Sequence, residues 1–432
     1  MDTKKILEDS LKRSDEAEIF TVVSEKEPVG FEANRLKTLS KTSGQGWALR
    51  VIKDRKIGLS TSTYPNSETL ISRACDASDF GKNVEYSFPS NFSYKKNKNT
   101  EINVPLDKMV DMGEKIIKTL LKEWPSLLLE ANISRSSGFT EILNSSGFNS
   151  SYEWNSFSAG VGGTLIKGED MLFVWESFGW SEFKDYSDVI INSLHEQLKN
   201  AENISETPNE NCPVIFTPRG FVTTFIEPLI SSFNGINIVE GISPISEKMG
   251  QKIFDENITI VDDPTISGAL GERPFDDEGV PASKNTLIQN GVISGNLLNL
   301  ESAYKLNLQP TGSASRSISS PPTPSTSVIE VKPGKYLYKE LISGLKEGII
   351  VDQLLGAGQG NELGGDFKGN VLLGYRVKDG KILGRIKNTM ISGNIFDCLK
   401  NLSWISRDTN WIYGSFNVPH IMCENIQIAS ST

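Results

Sequence analysis

The chain has 432 residues, with 54 Asp and Glu against 44 Lys and Arg, so its formal charge is −10. That length corresponds to two or three domains, and 38% hydrophobic with 23% charged residues excludes a disordered chain. The acidic balance disfavours a nucleic-acid backbone as partner, since phosphate binding needs clustered Lys and Arg, and two histidines, His195 and His420, exclude a histidine-rich metal centre.

In chain order, ILEDSLKRS places Ile6, Leu7 and Leu11 at helical spacing, which predicts a helix docked on a sheet. EIFTVVSEKEPVGFEANRLKTLS then alternates as strands do. GWALRVI and KIGLSTST, joined through Lys53, Asp54 and Arg55, read as a hairpin. A helix is predicted over 66–78. Residues 82–103 are polar and irregular, a connector whose KKNK run at 95–98 reads as a solvated loop. LDKMVDMGEKIIKTLLKEW follows as an amphipathic helix, with Met109, Met112, Ile116, Ile117, Leu120 and Leu121 on one stripe and Pro125 ending it. Strand-like runs LLLEANISRSS, FTEILNSSGFNSSYEWNSFSAGVGGTLI and MLFVWESFGW come next, with a turn at Asn144-Ser145-Ser146-Gly147. The helix SDVIINSLHEQLKNA closes this region.

ETPNENCP is a polar boundary at 206–213. PVIFTP then reads as a short buried strand, followed by a helical segment through Phe225, Leu229 and Phe233. Strands dominate from 258 onward. Asn290-Gly291 and Asp379-Gly380 are hairpin dipeptides, and short helices are predicted at 338–347 and 394–402. The Ser/Thr/Pro tract 311–327 reads as an ordered loop inside one domain, because strand signals flank it. The expected architecture is α+β. Two N-terminal subdomains, 1–82 and 104–205, precede a larger strand-rich C-terminal domain at 212–432.

Four scattered cysteines, Cys75, Cys212, Cys398 and Cys423, form no C-x-x-C pair and read as reduced, buried thiols. The charged N-terminus is no signal peptide, and the longest charge-free run, 285–300, is broken by polar residues, so no membrane span is expected. A cytoplasmic location follows by elimination.

Chemistry-bearing motifs are sparse. His195-Glu196 suggests a zinc-protease helix, but Lys199 and Asn200 stand where a second imidazole would be required. His420 and Cys423 offer two ligands without a third. GAGQG at 356–360 continues into a strand and not a helix, so it presents no helix dipole to a phosphate. No catalytic residue and no metal ligand set is assigned. The carboxylates Asp262, Asp263, Asp276, Asp277 and Glu278 could share protons, hold a divalent ion or capture a peptide amine. They could equally be turn residues that satisfy nearby backbone N–H groups. Arg273 and Arg316 are the natural cationic partners, either for these acids or for a peptide carboxylate.

The run VDDPTISGALGERPFDDEGVPASKNTLIQNGVISGNLLNLESAYKL, the TGSAS loop carrying Ser313, Pro333-Gly334, LGAGQGNELGGDFKG, GYRVKDGKILGRIKN and ISGNIFDCL together resemble the TldD/PmbA family. GQGWALRVIKDRKIGLSTST resembles that family's first hairpin. The resemblance implies a metallopeptidase family in which the TldD-type member carries zinc on an HExxxH helix plus a distant Cys. Here the matching place holds PRGFVTTFIEPLISSFNG, where Glu227 is a lone carboxylate and no histidine occurs. The implied reading is the PmbA (TldE) type. Such a chain is a non-catalytic subunit, holds no cofactor, and pairs with a TldD-type zinc metallopeptidase subunit that degrades or matures short or unfolded peptides.

A homodimer is the alternative assembly in isolation. The alternative functions are a metal-independent peptidase using the acidic cluster, and a regulatory binding protein of the gyrase-modulator kind. Arg273, Asp276, Asp277, Glu278, Ser313 and Arg316 are the expected groove residues.

Overall fold

The computed structural model describes residues 2–90, 92, 102–208, 212–358 and 360–430; the KKNK run at 95–98 lies outside them. The first half opens with α1 (Thr3–Ser10), started by Asp2, whose carboxylate accepts from Lys5 N–H at 3.2 Å. Strands β1 (Glu16–Glu32), β2 (Arg35–Leu39), β3 (Thr42–Lys53) and β4 (Lys56–Ser62) follow. Between β3 and β4, Asp54 and Arg55 take φ of 51° and 61°, the paired left-handed turn that matches strand twist in a two-residue hairpin. α2 (Ser67–Ser78) is capped by Asn66, which accepts from Thr69 N–H at 3.0 Å. α3 (Leu106–Glu123) buries Met109, Met112, Ile116, Ile117 and Leu120, the stripe expected from its spacing. β5 (Leu128–Asn144), β6 (Asn149–Lys167), β7 (Asp170–Trp180) and α4 (Ser187–Asn200) complete this half.

Among the described residues these strands make one seven-stranded antiparallel sheet, ordered β4-β3-β1-β5-β6-β7 with β2 added to β1. β1 pairs β5 from Glu18↔Asn144 to Phe31↔Ala131. The division expected between 82 and 104 therefore falls between elements of a single sheet. The cause is the length of β1. Its 17 residues expose two edges, β3 covers one, and an open second edge of that length would invite aggregation. LLLEANISRSS and FTEILN likewise form one strand, β5.

The second half is built on a mixed sheet. Its strands are β8 (Ile204–Ser205), β9 (Val214–Phe216), β10 (Ile260–Asp262), β11 (Asn285–Gln289) and β12 (Val292–Ile293), then β13 (Ala314–Ser315), β14 (Thr323–Pro324), β15 (Ile329–Val331), β16 (Glu347–Leu355) and β17 (Asp366–Lys378), and last β18 (Lys381–Ile386), β19 (Thr389–Asn394), β20 (Leu402–Ile412), β21 (Phe416–Cys423) and β22 (Gln427–Ser430). The main path is β12-β11-β10-β15-β21-β9-β16-β17-β18-β8, and β13 and β14 pair separately within the 311–327 loop. Asn290-Gly291 and Asp379-Gly380 take positive φ at both positions, as hairpin turns demand.

Short β9 sits at the centre, parallel to β16 and antiparallel to β21. Its three residues are all buried, which explains why PVIF reads as apolar on both faces. α1 and α2 pack on one face of the first sheet. The core under α3 and α4 continues into Ile350, Leu373, Tyr375 and Met422 of the second sheet, so the two halves share apolar packing. No helix of the described residues is long and apolar enough to cross a membrane.

Candidate functional site

The chain leaves β9 into a helical stretch at residues 218–233. Thr217 starts it: its hydroxyl accepts from Gly220 N–H at 3.2 Å and donates to Asp352 Oδ1 at 2.7 Å, with Pro218 at the first helical position. Gly220 is required by proximity, because a Cβ there would stand 2.6 Å from the Val351 carbonyl oxygen. Pro228 cannot donate to the carbonyl of Thr224 and its ring needs room there. The ladder widens just before it into a π turn at Val222–Ile226, where Glu227 N–H bonds Val222 O. Phe221, Val222, Phe225, Ile226, Leu229 and Phe233 are buried in the second-half core.

What this helix offers to chemistry is meagre. A 210 Å³ cavity beside it is lined by Thr223, Thr224, Glu227, Ser231, Glu362 and Asp366 among others. Partial burial, with Glu362 nearby, pushes the Glu227 carboxyl up. Zinc does not fit this donor set, because Glu227, Glu362 and Asp366 line the cavity without an imidazole or thiolate and, among the described residues, are not gathered closely enough to hold a metal.

The other candidate donors lie elsewhere in the fold. His195 lies on α4 with Nε2 3.0 Å from Glu123 and its ring edge-on to Trp124. His420 is buried and stacked on Tyr338. A hydrogen bond with Cys398, together with burial, holds the Cys423 thiol well above its usual range, so no thiolate is presented. Among the described residues no three His, Cys, Asp or Glu side chains gather as a metal site. Among the described residues no helix stands between β16, which ends at Leu355, and β17, which begins at Asp366, where the GAGQG segment falls.

The acidic cluster assembles differently. Asp276 Oδ1 accepts from Glu278 and Val280 N–H, both at 2.9 Å, and Oδ2 accepts from Ala314 N–H at 2.9 Å. Burial pushes its carboxyl up to about 7, and Glu278 adds to that. Asp277 accepts from Arg316 N–H at 2.8 Å. Glu278 accepts from Leu300 N–H at 2.7 Å and from Arg50 Nη1 at 2.8 Å. Arg50 also grips Glu18 with two bonds, 2.9 and 2.8 Å, and Arg316 Nη2 reaches Glu18 Oε1 at 2.7 Å while lying over Phe20.

Glu18 on β1 and Arg50 on β3 thus tie the first sheet to the 276–316 region through a sealed ion network. Burial alone would lower Arg50, yet Glu18 and Glu278 hold it well above its ordinary value. Arg273 donates to the carbonyls of Ala314 and Gly312 at 3.0 and 3.3 Å, and buried Ser313 accepts from the Thr311 hydroxyl at 2.9 Å.

The six expected groove residues therefore do come together. Asp276, Glu278, Ser313 and the Arg316 side chain are each at most 1% exposed, and their bonds are to the fold. Arg273 and Asp277 line a 460 Å³ cavity, shared with Tyr152, Trp154, Ser315 and Ser327, between β6 and the 267–273 and 315–327 loops. Sequence reasoning missed Glu18 and Arg50. Their signal was a charge inside an otherwise apolar strand run, in AEIF and WALRVI.

The family model described as the PmbA/TldA metallopeptidase C-terminal domain matches residues 209–430, and that described as PmbA/TldA metallopeptidase domain 1 matches 17–78. An uncharacterized protein of Methanocaldococcus jannaschii is 26% identical over 411 residues, covering 93% of this chain and 94% of its own. A metalloprotease of Methanothermobacter thermautotrophicus is 37% identical over 171 residues, 40% of this chain and 37% of its own. The crystal structure of TldE from Thermococcus kodakarensis superposes with a TM-score of 0.89 over 99% of both chains at 24% identity, a likeness of fold. With its C-terminal domain matched throughout and its first hairpins matched as well, the chain belongs to the PmbA/TldD metallopeptidase family.

Proposed function

We propose that this chain is the non-catalytic, PmbA/TldE-type subunit of a cytosolic two-subunit metallopeptidase, with the zinc held by a TldD-type partner and short or unfolded peptides as substrate. One observation carries the reading: the helix at 218–233, where catalytic relatives would mount imidazoles, presents threonines, a serine and one crowded carboxylate. Without three ligands on a rigid frame no metal-activated water is generated. The rival of a lone acid-based peptidase is disfavoured by the acidic cluster itself, because Asp276 and Glu278 are sealed and spend their oxygens on backbone N–H groups and Arg50.

In this reading the chain supplies a wall of a shared groove. Strand edges of the second half pair with an extended peptide backbone, Arg273 and Asp277 face it from the 460 Å³ cavity, and the sealed residues hold the 311–327 loop in place. The test is reconstitution with a TldD-type chain bearing HExxxH. Hydrolysis of unfolded peptide is expected only from the mixture, is abolished by chelator, and tracks a heteromeric mass. Chelator-insensitive turnover by this chain alone, or full activity of the other chain without it, refutes the proposal.

A further inference from the structure

A third cavity, of 170 Å³, lies where β7 and α4 of the first half meet β16, β20 and β21 of the second. Its floor is the Arg219 guanidinium. Nη1 donates to Asp352 Oδ2 at 3.0 Å and to the Trp175 carbonyl at 2.6 Å, and Nη2 donates to Glu176 Oε1 at 2.7 Å. Three of its five N–H groups are thus committed to acceptors of the protein itself. Three carboxylates line the space, Glu176, Asp352 and Glu196, against that one guanidinium, leaving a negative excess.

His420 closes another wall and is only 7% exposed. Ser406 Oγ donates to the Asp408 carbonyl at 2.7 Å and accepts His420 N–H at 2.9 Å. Facing Nδ1 are therefore acceptors, Ser406 Oγ at 3.5 Å and Asp408 Oδ2 at 4.0 Å. That selects the tautomer with the proton on Nδ1 and leaves the Nε2 lone pair without a partner among the described residues. Tyr338 stacks on the imidazole with ring centroids 3.7 Å apart, and Trp411 also lines the space. Burial keeps the imidazole neutral, with a pKa of about 4, so it stays an acceptor at physiological pH.

We propose that this cavity is a binding site for a small organic cation, a guanidinium or alkylammonium group. The Nε2 lone pair of His420 would receive one N–H, the carboxylates would balance the charge, and Trp411 would cover it. The volume suffices: a cavity of about 150 Å³ holds a benzene ring. The same head group occurs as a free amine or guanidine and as a basic side chain of a peptide. Because the walls come from both halves, an occupant would bridge them. This site is separate from the proposed peptide groove and does not depend on the role argued above.

With only two histidines in the sequence, ring-labelled full-length protein reports the site directly by NMR, and half-buried His195, packed against Trp124, serves as internal control. Methylguanidine is the probe and methylurea its neutral isostere. Methylguanidine is expected to shift the His420 Nε2 resonance saturably in the millimolar range while leaving His195 unmoved, with methylurea at least about tenfold weaker. Glu196→Gln, on an exposed helix face where folding is retained, is expected to weaken methylguanidine about threefold. If N-acetyl-arginine methylamide reproduces the shift, the source is a peptide side chain; if only methylguanidine does, it is a free small cation. Equal shifts from methylurea, no saturable change at His420, or no effect of Glu196→Gln would overturn the site.

Discussion

Two regions of this molecule that carry carboxylates behave oppositely. The network of Glu18, Arg50, Glu278 and Arg316 is closed, each carboxylate answered by a guanidinium from a strand or loop far away in sequence. The helix at 218–233 is poor in charge, and its Glu227 faces a cavity with another carboxylate, Glu362, for company. The contrast teaches that density of acids along the chain does not mark chemistry. Saturation of their lone pairs does the sorting, and saturation is a property of the fold.

The comparison breaks most readily at the closed network. Arg50→Met leaves Glu18 and Glu278 buried with a single guanidinium near them, and should cost about 3–5 kcal/mol of stability in urea unfolding. A loss below about 1 kcal/mol would show that the network does not hold the halves together.

Next in size is the acid limb of stability. His420 titrates near 6.5 when unfolded and about 4 when buried. The unfolded chain then binds the proton more readily, so stability is full above pH 6.5 and falls as pH drops from 6.5 towards 4. The loss approaches about 3 kcal/mol for this group. Denaturant titrations across that window, repeated on His420→Gln, should show the slope in the parent and a flatter curve in the variant. A parent curve as flat as the variant's would contradict the buried neutral imidazole.

Arg273→Ala sharpens the comparison where the fold meets the proposed groove. It removes bonds to two loop carbonyls, costing about 1–2 kcal/mol of stability. In the reconstituted peptidase it should raise KM about tenfold with kcat unchanged, as loss of one charge-assisted contact to peptide would. An unchanged KM would remove Arg273 from the groove. Smallest of all is the effect at the zinc-type helix: Glu227→Gln should leave stability within about 0.5 kcal/mol and reconstituted activity unaltered. A large fall in kcat would mean this helix takes part in catalysis.

Much of the fold was legible. The stripe on α3, the helix predicted over 66–78, the Asp54-Arg55 hairpin and the Asn-Gly and Asp-Gly turns are local signals, and local physics decides them. The joining of 1–82 and 104–205 was not legible, because β1 finds β5 more than a hundred residues away and nothing in either strand names its partner. The site divides the same way. The missing imidazoles after PVIFTP could be read by eye, whereas the pairing of buried Glu278 depended on Arg50, more than two hundred residues away, which also holds Glu18. The Arg219, Glu176 and Asp352 group, drawn from three separate elements, gave no sequence signal at all.

The most direct test of the central claim is the metal content of the isolated, full-length chain purified with zinc present throughout. Substoichiometric zinc, removed by a desalting step without chelator, is the predicted result. One zinc per chain, retained through desalting and lost together with a change at the 218–233 helix, would contradict the account.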